Sequence, residues 1–194
     1  NYINVGTALK DVGKEYEAIS YFEKSLNIDP FNALVLAQTG YLCIKNFIPD
    51  KAKKYLEKAI KLDPKAEFIF NLGEAFRQLG DRKNASRNFL KALSLKPDMI
   101  QANYKLALLY QDKKNYKQSM HHFKKCKKYR DSEERYLQSL YMNSEFEKFN
   151  GEFKKISILK DSSVLLQMLS SHASIYLNKK DEYNFFNNPF DAIY

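Results

Sequence analysis

The sequence has no tryptophan, two cysteines, and few residues that interrupt helices, with 6 glycines and 5 prolines among 194 residues. So little glycine and proline argues against an all-β chain, which needs many tight turns. Cys43 and Cys126 lie in apolar helical patterns and show no metal-ligand spacing, so we expect small buried side chains with free thiols. Free thiols suit a reducing compartment, and we expect a cytoplasmic protein.

Long apolar runs and known catalytic motifs are also missing. No stretch approaches the ~18 apolar residues that a membrane-spanning helix needs. No zinc-protease motif, Cys-x-x-Cys pair, glycine-rich phosphate loop or nucleophile elbow occurs. The adjacent His121 and His122 point in different directions on a helix, so they cannot share one metal. We therefore predict no catalytic residue, metal site or cofactor in this segment, which is not expected to be an enzyme.

Hydrophobic residues make up 44% of the chain, including 14 Phe and 14 Tyr, which is enough to fill a continuous core of thin layers. Three similar phrases divide the sequence, SLNIDP, AIKLDP and ALSLKP, and they end at Pro30, Pro64 and Pro97. The spacings are 34 and 33 residues. Because proline cannot continue a helix, each phrase reads as the end of one structural unit.

Each unit contains two small residues at matching offsets, where two helices of a pair could meet closely. In the first part of each unit these are Gly6, Gly40, Gly73 and Ala107. In the second part they are Ala18, Ala52, Ala85 and Ser119. A third matching offset, at which side chains would fill the space between the helix layers, is occupied by Leu9, Cys43, Phe76 and Tyr110. The fourth unit departs from the pattern at its end, with Asp131 in place of proline.

This pattern resembles the tetratricopeptide repeat over about residues 2–130. The resemblance implies an all-α fold, a right-handed superhelical solenoid of antiparallel helix pairs. The predicted pairs are 2–13 with 15–28, 33–46 with 49–61, 66–79 with 82–95, and 100–113 with 116–129. Each helix alone is short, and we expect it to be stable only when stacked on its neighbours.

Helical periodicity continues beyond the fourth unit, while the strict repeat fades. We predict four pairs in residues 1–131, a degenerate fifth pair in 132–160, and capping helices in 161–194, including one over about 162–178. The last ten residues, FFNNPFDAIY, are apolar and aromatic, which suggests a joint to a following domain. Because the first residue already lies in a helical pattern, we expect this chain to be part of a longer protein.

In the tetratricopeptide family the first helix of each pair lines a concave groove. The resemblance places these groove residues there: Asn4, Gln38, Tyr41, Asn71, Glu74, Arg77, Tyr104, Lys105 and Leu108. Three amides in register, at Asn4, Gln38 and Asn71, are similar to the asparagine ladder of O-GlcNAc transferases, although amides are also ordinary choices at half-exposed helix positions. A clamp for chaperone C-termini is disfavoured, because Ala37 and Gln101 stand where that clamp has cationic side chains.

A basic stretch without any acidic residue runs from the end of the fourth unit's first helix onwards. It contains Lys113, Lys114, Lys117, Lys124, Lys125, Lys127, Lys128 and Arg130. The simplest interpretation is a solvated helix face, and the alternatives are an acidic partner surface, a neighbouring domain or nucleic acid. Tyr116 and Phe123 occupy core offsets rather than a stacking platform, which disfavours nucleic acid.

These observations favour an interaction module whose groove binds a protein or peptide segment, or an adjoining domain. The alternative is the N-terminal scaffold of a larger enzyme, such as a glycosyltransferase, a sulfotransferase or a 2-oxoglutarate-dependent oxygenase, with its catalytic domain beyond residue 194. The net charge of +9 bears on solubility and on acidic partners. The oligomeric state and the identity of the partner stay open.

Overall fold

In a computed structural model, residues 1–157 and 164–178 are described, and every regular element among them is an α-helix. The helices are α1 (Tyr2–Asp11), α2 (Glu15–Ile28), α3 (Ala33–Lys45), α4 (Pro49–Leu62), α5 (Ala66–Gln78), α6 (Arg82–Leu95), α7 (Ile100–Asp112), α8 (Tyr116–Lys125), α9 (Ser132–Met142), α10 (Phe146–Ser157) and α11 (Val164–Asn178). The predicted all-α fold is confirmed. Within these ranges, no helix is both long enough and apolar enough to cross a bilayer.

Helix ends are set by local side chains and by turn geometry. Asn32 and Asp81 cap α3 and α6, where their side-chain oxygens accept hydrogen bonds from the backbone N–H groups three residues on. The turn inside each of the first and third pairs needs a positive φ, which glycine supplies at Gly13 and Gly80. Phe47 takes the equivalent left-handed conformation between α3 and α4.

The chain forms two compact units, residues 1–102 and 103–194. In the first unit, each odd-numbered helix packs against the even-numbered helix that follows it, and α3 also contacts α5 directly. The core between the helices contains the fully buried side chains of Phe22, Leu42 and Leu56, together with Cys43. Burial raises the pKa of the Cys43 thiol to about 11, as expected for a small core residue.

The described part of the second unit is built around α9, which contacts α8, α10 and α11. Its core contains Phe123, Leu137, Leu140 and Phe149, all fully buried, and the second cysteine, Cys126, is buried with them. The apolar stripes predicted after the fourth unit therefore do face a core. The FFNNPFDAIY segment and the part of the predicted capping region beyond residue 178 lie outside the described residues.

Helix α8 is shorter than the sequence predicted, because it ends at Lys125 and not at residue 129. The next residues form a turn, in which the N–H of Cys126 donates to the carbonyl of Phe123 and the N–H of Tyr129 donates to that of Cys126. Like charges four residues apart, such as Lys124 and Lys128, disfavour a further helical turn here. The other second helices of the repeats, α2, α4 and α6, each have 14 residues.

Candidate protein-binding face

The first helices of the first unit, α1, α3 and α5, present polar and aromatic side chains on the side that does not pack against the second helices. Asn4, Gln38 and Tyr41 are exposed, and Asn71 is half-buried. Tyr41 leaves 45% of its surface exposed, so its ring is accessible to a ligand. We call these four residues the first-helix face.

Two predicted groove residues on α5, Glu74 and Arg77, bind each other. Glu74 is only 8% exposed, and its two carboxylate oxygens accept hydrogen bonds from Nε and Nη2 of Arg77 at 3.2 and 3.3 Å. The Arg77 charge is therefore compensated within the helix, by a two-point pairing between guanidinium and carboxylate. This arrangement does not suit a clamp for a free carboxylate.

A second ion pair lies at the end of α3. The ammonium of Lys45 binds Glu15, and Nδ2 of Asn46 donates to the other oxygen of that carboxylate at 3.0 Å. The hydrogen bond from Lys45 lowers the pKa of Glu15. With its cations paired, this side of the unit offers mainly amides and an aromatic ring, which suit hydrogen bonding to a peptide backbone.

Gln78 connects the last turns of two first helices. Its Nε2 donates to the backbone carbonyl of Ile44 at 2.9 Å, which joins α5 to α3. The same carbonyl also accepts a hydrogen bond from the backbone N–H of Phe47 at 3.1 Å. The periodic pattern gave no sign of this contact, since Gln78 lies at an offset where polar residues are ordinary choices. The hydrogen bond fixes the spacing of the helices that carry Tyr41 and Asn71.

Tyr104, predicted as a groove residue, lies instead in the core of the second unit. It is 5% exposed, and its hydroxyl donates to Oδ1 of Asp131 at 2.6 Å. Its ring meets Phe123 and Tyr129 edge-on, with centroids 6.1 and 5.3 Å apart. Lys105 and Leu108 on the same helix are half-buried. Tyr104 therefore supports the fold and is not a freely accessible contact.

Asp131, the residue that replaces the closing proline, joins Tyr104 to α9. Besides the tyrosine hydroxyl, it binds Nε of Arg135 at 2.7 Å, and Arg135 in turn donates to Gln111 at 3.1 Å. Burial alone would raise the pKa of Asp131, but the hydrogen bonds from Tyr104 and Arg135 hold it below its ordinary value. The departure from the repeat pattern thus has a structural role.

The basic stretch is divided between helix and turn, so it does not form a single helix face. Lys117, Lys124 and Lys125 are on α8, whereas the remaining five residues, Lys113, Lys114, Lys127, Lys128 and Arg130, are in the adjoining turns or at their edges. Lys127 is within 3.6 Å of Glu133 and 3.4 Å of Glu152. The guanidinium of Arg130 lies over the rings of Tyr104 and Tyr129.

A buried polar cluster, missed by the sequence reasoning, surrounds His122. Its Nδ1 is 3.0 Å from Oδ1 of Asn103, and its ring stacks on Tyr110 with centroids 5.6 Å apart. The neighbouring His121 is exposed. The sequence did contain one sign of this cluster, because Asn103 occupies the repeat position at which the other units have the buried Leu36 and Ile69. A polar residue at such a position implies a buried hydrogen-bond partner.

Comparison with known families agrees with this architecture. The family described as "Tetratricopeptide repeat" matches residues 1–32, 35–65 and 100–133. A second family, described as "TPR repeat", matches residues 73–114. Together the matches cover the four pairs in which the small residues recur.

Two longer proteins are similar in sequence. Human tetratricopeptide repeat protein 6 is 26% identical over 135 residues, which are 70% of this chain and 26% of that protein. The anaphase-promoting complex subunit CDC16 of Saccharomyces cerevisiae is 31% identical over 116 residues, which are 56% of this chain and 14% of that protein. The chain thus spans a small part of the length of these relatives.

Solved structures share the fold. MamA has a TM-score of 0.66 at 23% identity, with 92% of this chain and 98% of that chain covered. YrrB has a TM-score of 0.68 at 20% identity, with 90% of each chain covered. The repeats are those of a protein–protein interaction scaffold. The chain belongs to the tetratricopeptide repeat family.

Proposed function

We propose that the first-helix face, formed by Asn4, Gln38, Tyr41 and Asn71, binds an extended segment of a partner protein. The observation that carries the proposal is the exposure of Gln38 and Tyr41 on α3, beside the half-buried Asn71 on α5. Side-chain amides can both donate to and accept from a peptide backbone. An exposed tyrosine adds a large contact area with few rotatable bonds.

The cations around this face are already paired, which favours contacts with the uncharged main chain of a ligand over binding of the ligand's C-terminal carboxylate. Arg77 is bound by Glu74, and Lys45 is bound by Glu15. A carboxylate arriving from a ligand would have to compete with these existing partners. One structural relative, YrrB, is described as a tetratricopeptide protein with an unusual peptide-binding site, which supports the same kind of ligand here.

The test uses linear peptides selected against the whole chain from a random display library. Binding of a selected peptide is then measured by fluorescence anisotropy for the wild type and for the double variant Gln38→Ala/Tyr41→Ala. We expect the affinity to fall about tenfold or more, since exposed aromatic anchors dominate such contacts. Substituting Tyr104 would not test the face, because its side chain lies in the core of the second unit.

A matched control comes from the second helices of the same unit. Lys54→Ala/Lys58→Ala changes two exposed side chains on α4 and should leave the peptide affinity within about twofold. Both variants should melt close to the wild-type temperature. Equal loss of affinity in the two variants, or no loss in the first, would contradict the proposed face.

The alternative role, as the scaffold of a larger enzyme, stays a prediction. The complete reading frame decides it, because a stop codon directly after residue 194 excludes a following catalytic domain. Peptide binding by the first-helix face is independent of that outcome.

A further inference from the structure

Three exposed lysines surround the end of α8. Lys124 and Lys125 occupy the last turn of the helix, and Lys128 lies in the turn that follows. We call them the α8 lysine cluster. Lys128 follows Lys125 by three residues, so the three cations lie within a short stretch of the chain at the end of the helix. The helix dipole favours cations at this end but supplies no counter-ion for them.

Acidic residues that could neutralise the α8 lysine cluster are engaged elsewhere. No Asp or Glu occurs between Lys113 and Arg130 in the sequence. Of the acids that follow, Glu133 and Glu152 contact Lys127, and Asp131 binds Arg135. Among the described residues, no ion pair is formed by any of the three lysines of the cluster.

The positive field of this region reaches the buried His122. Burial lowers the pKa of that imidazole, and the neighbouring His121 and Lys125 lower it further, to about 4.

The cluster is held on a rigid support. On the opposite side of the same helical turn, Phe123 and Cys126 are buried in the core of the second unit. The thiol of Cys126 lies 3.3 Å from the carbonyl of His122 and 3.4 Å from the hydroxyl of Ser132. These contacts fix the backbone that carries the lysines, so a ligand has to order only their side chains.

Ring positions favour a protein ligand over a nucleic acid. Phe123 is fully buried, and Tyr129 is half-buried, with its ring under Arg130 and against Tyr104. Single-stranded nucleic acids are usually bound by exposed rings on which their bases stack. Carboxylates on a peptide need only the cations.

We propose that Lys124, Lys125 and Lys128 form a docking site for an acidic, glutamate- or aspartate-rich segment of a partner protein. The site is separate from the first-helix face, and neither binding event requires the other. Charged contacts of this exposed kind act mainly on association rate and partner choice, and they weaken as salt rises.

The experiment measures binding of a fluorescein-labelled glutamate-rich peptide to the whole chain by anisotropy at low and at physiological ionic strength. A glutamine-for-glutamate peptide and a single-stranded oligonucleotide of equal length serve as comparison ligands. The triple variant Lys124→Gln/Lys125→Gln/Lys128→Gln should weaken binding of the glutamate-rich peptide about tenfold, because each exposed ion pair contributes a modest share.

The control is the triple variant Lys54→Gln/Lys58→Gln/Lys61→Gln on α4. It removes the same charge from three exposed lysines, but these share their helix with Glu57 and are followed by Asp63. Binding of the glutamate-rich peptide should stay within about twofold of wild type in this control. Equal weakening in both triple variants would show a net-charge effect only and would overturn the proposal.

Two further results would overturn it. One is binding of the oligonucleotide in preference to the glutamate-rich peptide, and the other is equal binding of the glutamine peptide. A charge-reversed triple variant, with Glu at all three positions, adds a positive test, because it should bind a lysine-rich peptide and lose the glutamate-rich one. Circular dichroism shows whether each variant keeps the helical content of the wild type.

Discussion

The ring of Phe89 packs directly on Gly73, so closely that a β-carbon at residue 73 would lie 2.6 Å from the ring. The same contact recurs in the other pairs of the first unit, between Gly6 and Phe22 and between Gly40 and Leu56. The repeat pattern of glycine on one helix and a large apolar residue on the next is therefore a packing requirement.

Gly73→Ala should destabilise the chain by about 1–3 kcal/mol, although alanine is the better helix former by about 1 kcal/mol. Phe89 is fully buried, and the carbonyl of Ala85 lies 3.3 Å from the added carbon, so neither can move away easily. Gly151→Ala is the matched control, since nothing lies within 4 Å of its added carbon. Urea unfolding should show Gly151→Ala to be neutral or stabilising, and a stabilising Gly73→Ala would contradict the packing argument.

Stability should fall with acid before the carboxylates titrate. Burial and the charges of His121 and Lys125 lower the pKa of His122 from 6.5 to about 4, so the folded chain resists its protonation. The unfolded chain binds that proton first, and stability is therefore full above pH 6.5 and declines as pH falls towards 4. The full effect is about 3 kcal/mol, from ~1.4 kcal/mol per pKa unit.

Chemical unfolding at a series of pH values between 7 and 5.5 measures the first part of this decline, above the range in which carboxylates with a lowered pKa, such as Glu15 and Asp131, also contribute. The variant His122→Gln lacks the titrating imidazole. Its free energy of unfolding should be nearly independent of pH over that interval, whatever its absolute value. A wild-type slope that persists in the variant would assign the effect to another group.

Side chains at one repeat position should differ sharply in their contribution to stability. Val5 and Leu72 are equivalent in the repeat, but Val5 is 40% exposed and Leu72 only 8%. Leu72→Ala should cost about 2–5 kcal/mol, as for other large-to-small changes in a core. Val5→Ala should change the free energy of unfolding by about 0.5 kcal/mol or less. Similar losses from both substitutions would show that exposure does not set the contribution at this position.

Restoring the family's proline at position 131 should destabilise the protein. Asp131→Pro removes the acceptor for Tyr104 and Arg135. It also places proline after Arg130, whose φ of 53° is a left-handed conformation and not the extended one that a residue before proline prefers. The φ of residue 131 itself is −94°, so the backbone would have to shift to the φ that the proline ring requires. We expect a loss of about 2 kcal/mol or more.

Asp131→Asn keeps an acceptor for the tyrosine and gives up only the charge, so its melting temperature should lie between those of wild type and Asp131→Pro. Stabilisation by proline would mean that the repeat consensus outweighs the Tyr104 contact.

The spacing of small residues and prolines was enough to predict the helix pairs, because close packing acts at every repeat with the same period. For α2, α4 and α6 the predicted ends agree with the observed ends to within one residue. The exception is α8, which ends at Lys125 although the period indicates a longer helix. Repulsion between lysines such as Lys124 and Lys128 disfavours a further turn there, and it depends on the particular side chains and not on the period.

The binding-face residues were harder to predict. Asn4, Gln38 and Tyr41 are exposed as a first-helix position requires, whereas Tyr104 at a similar position is buried. Its hydroxyl donates to Asp131, which is 27 residues away in the sequence and departs from the repeat. A periodic pattern describes what the repeats have in common, so a contact made by one repeat alone is invisible to it.

Each compact unit contains one buried thiol, Cys43 in the first and Cys126 in the second, and burial raises the pKa of both. A protonated, enclosed thiol reacts slowly with alkylating reagents until the structure around it opens. The two cysteines are therefore natural probes of local opening, one for each unit, which need no added label. Their separate alkylation rates, followed by mass spectrometry of the peptides, would tell whether the units open together or independently.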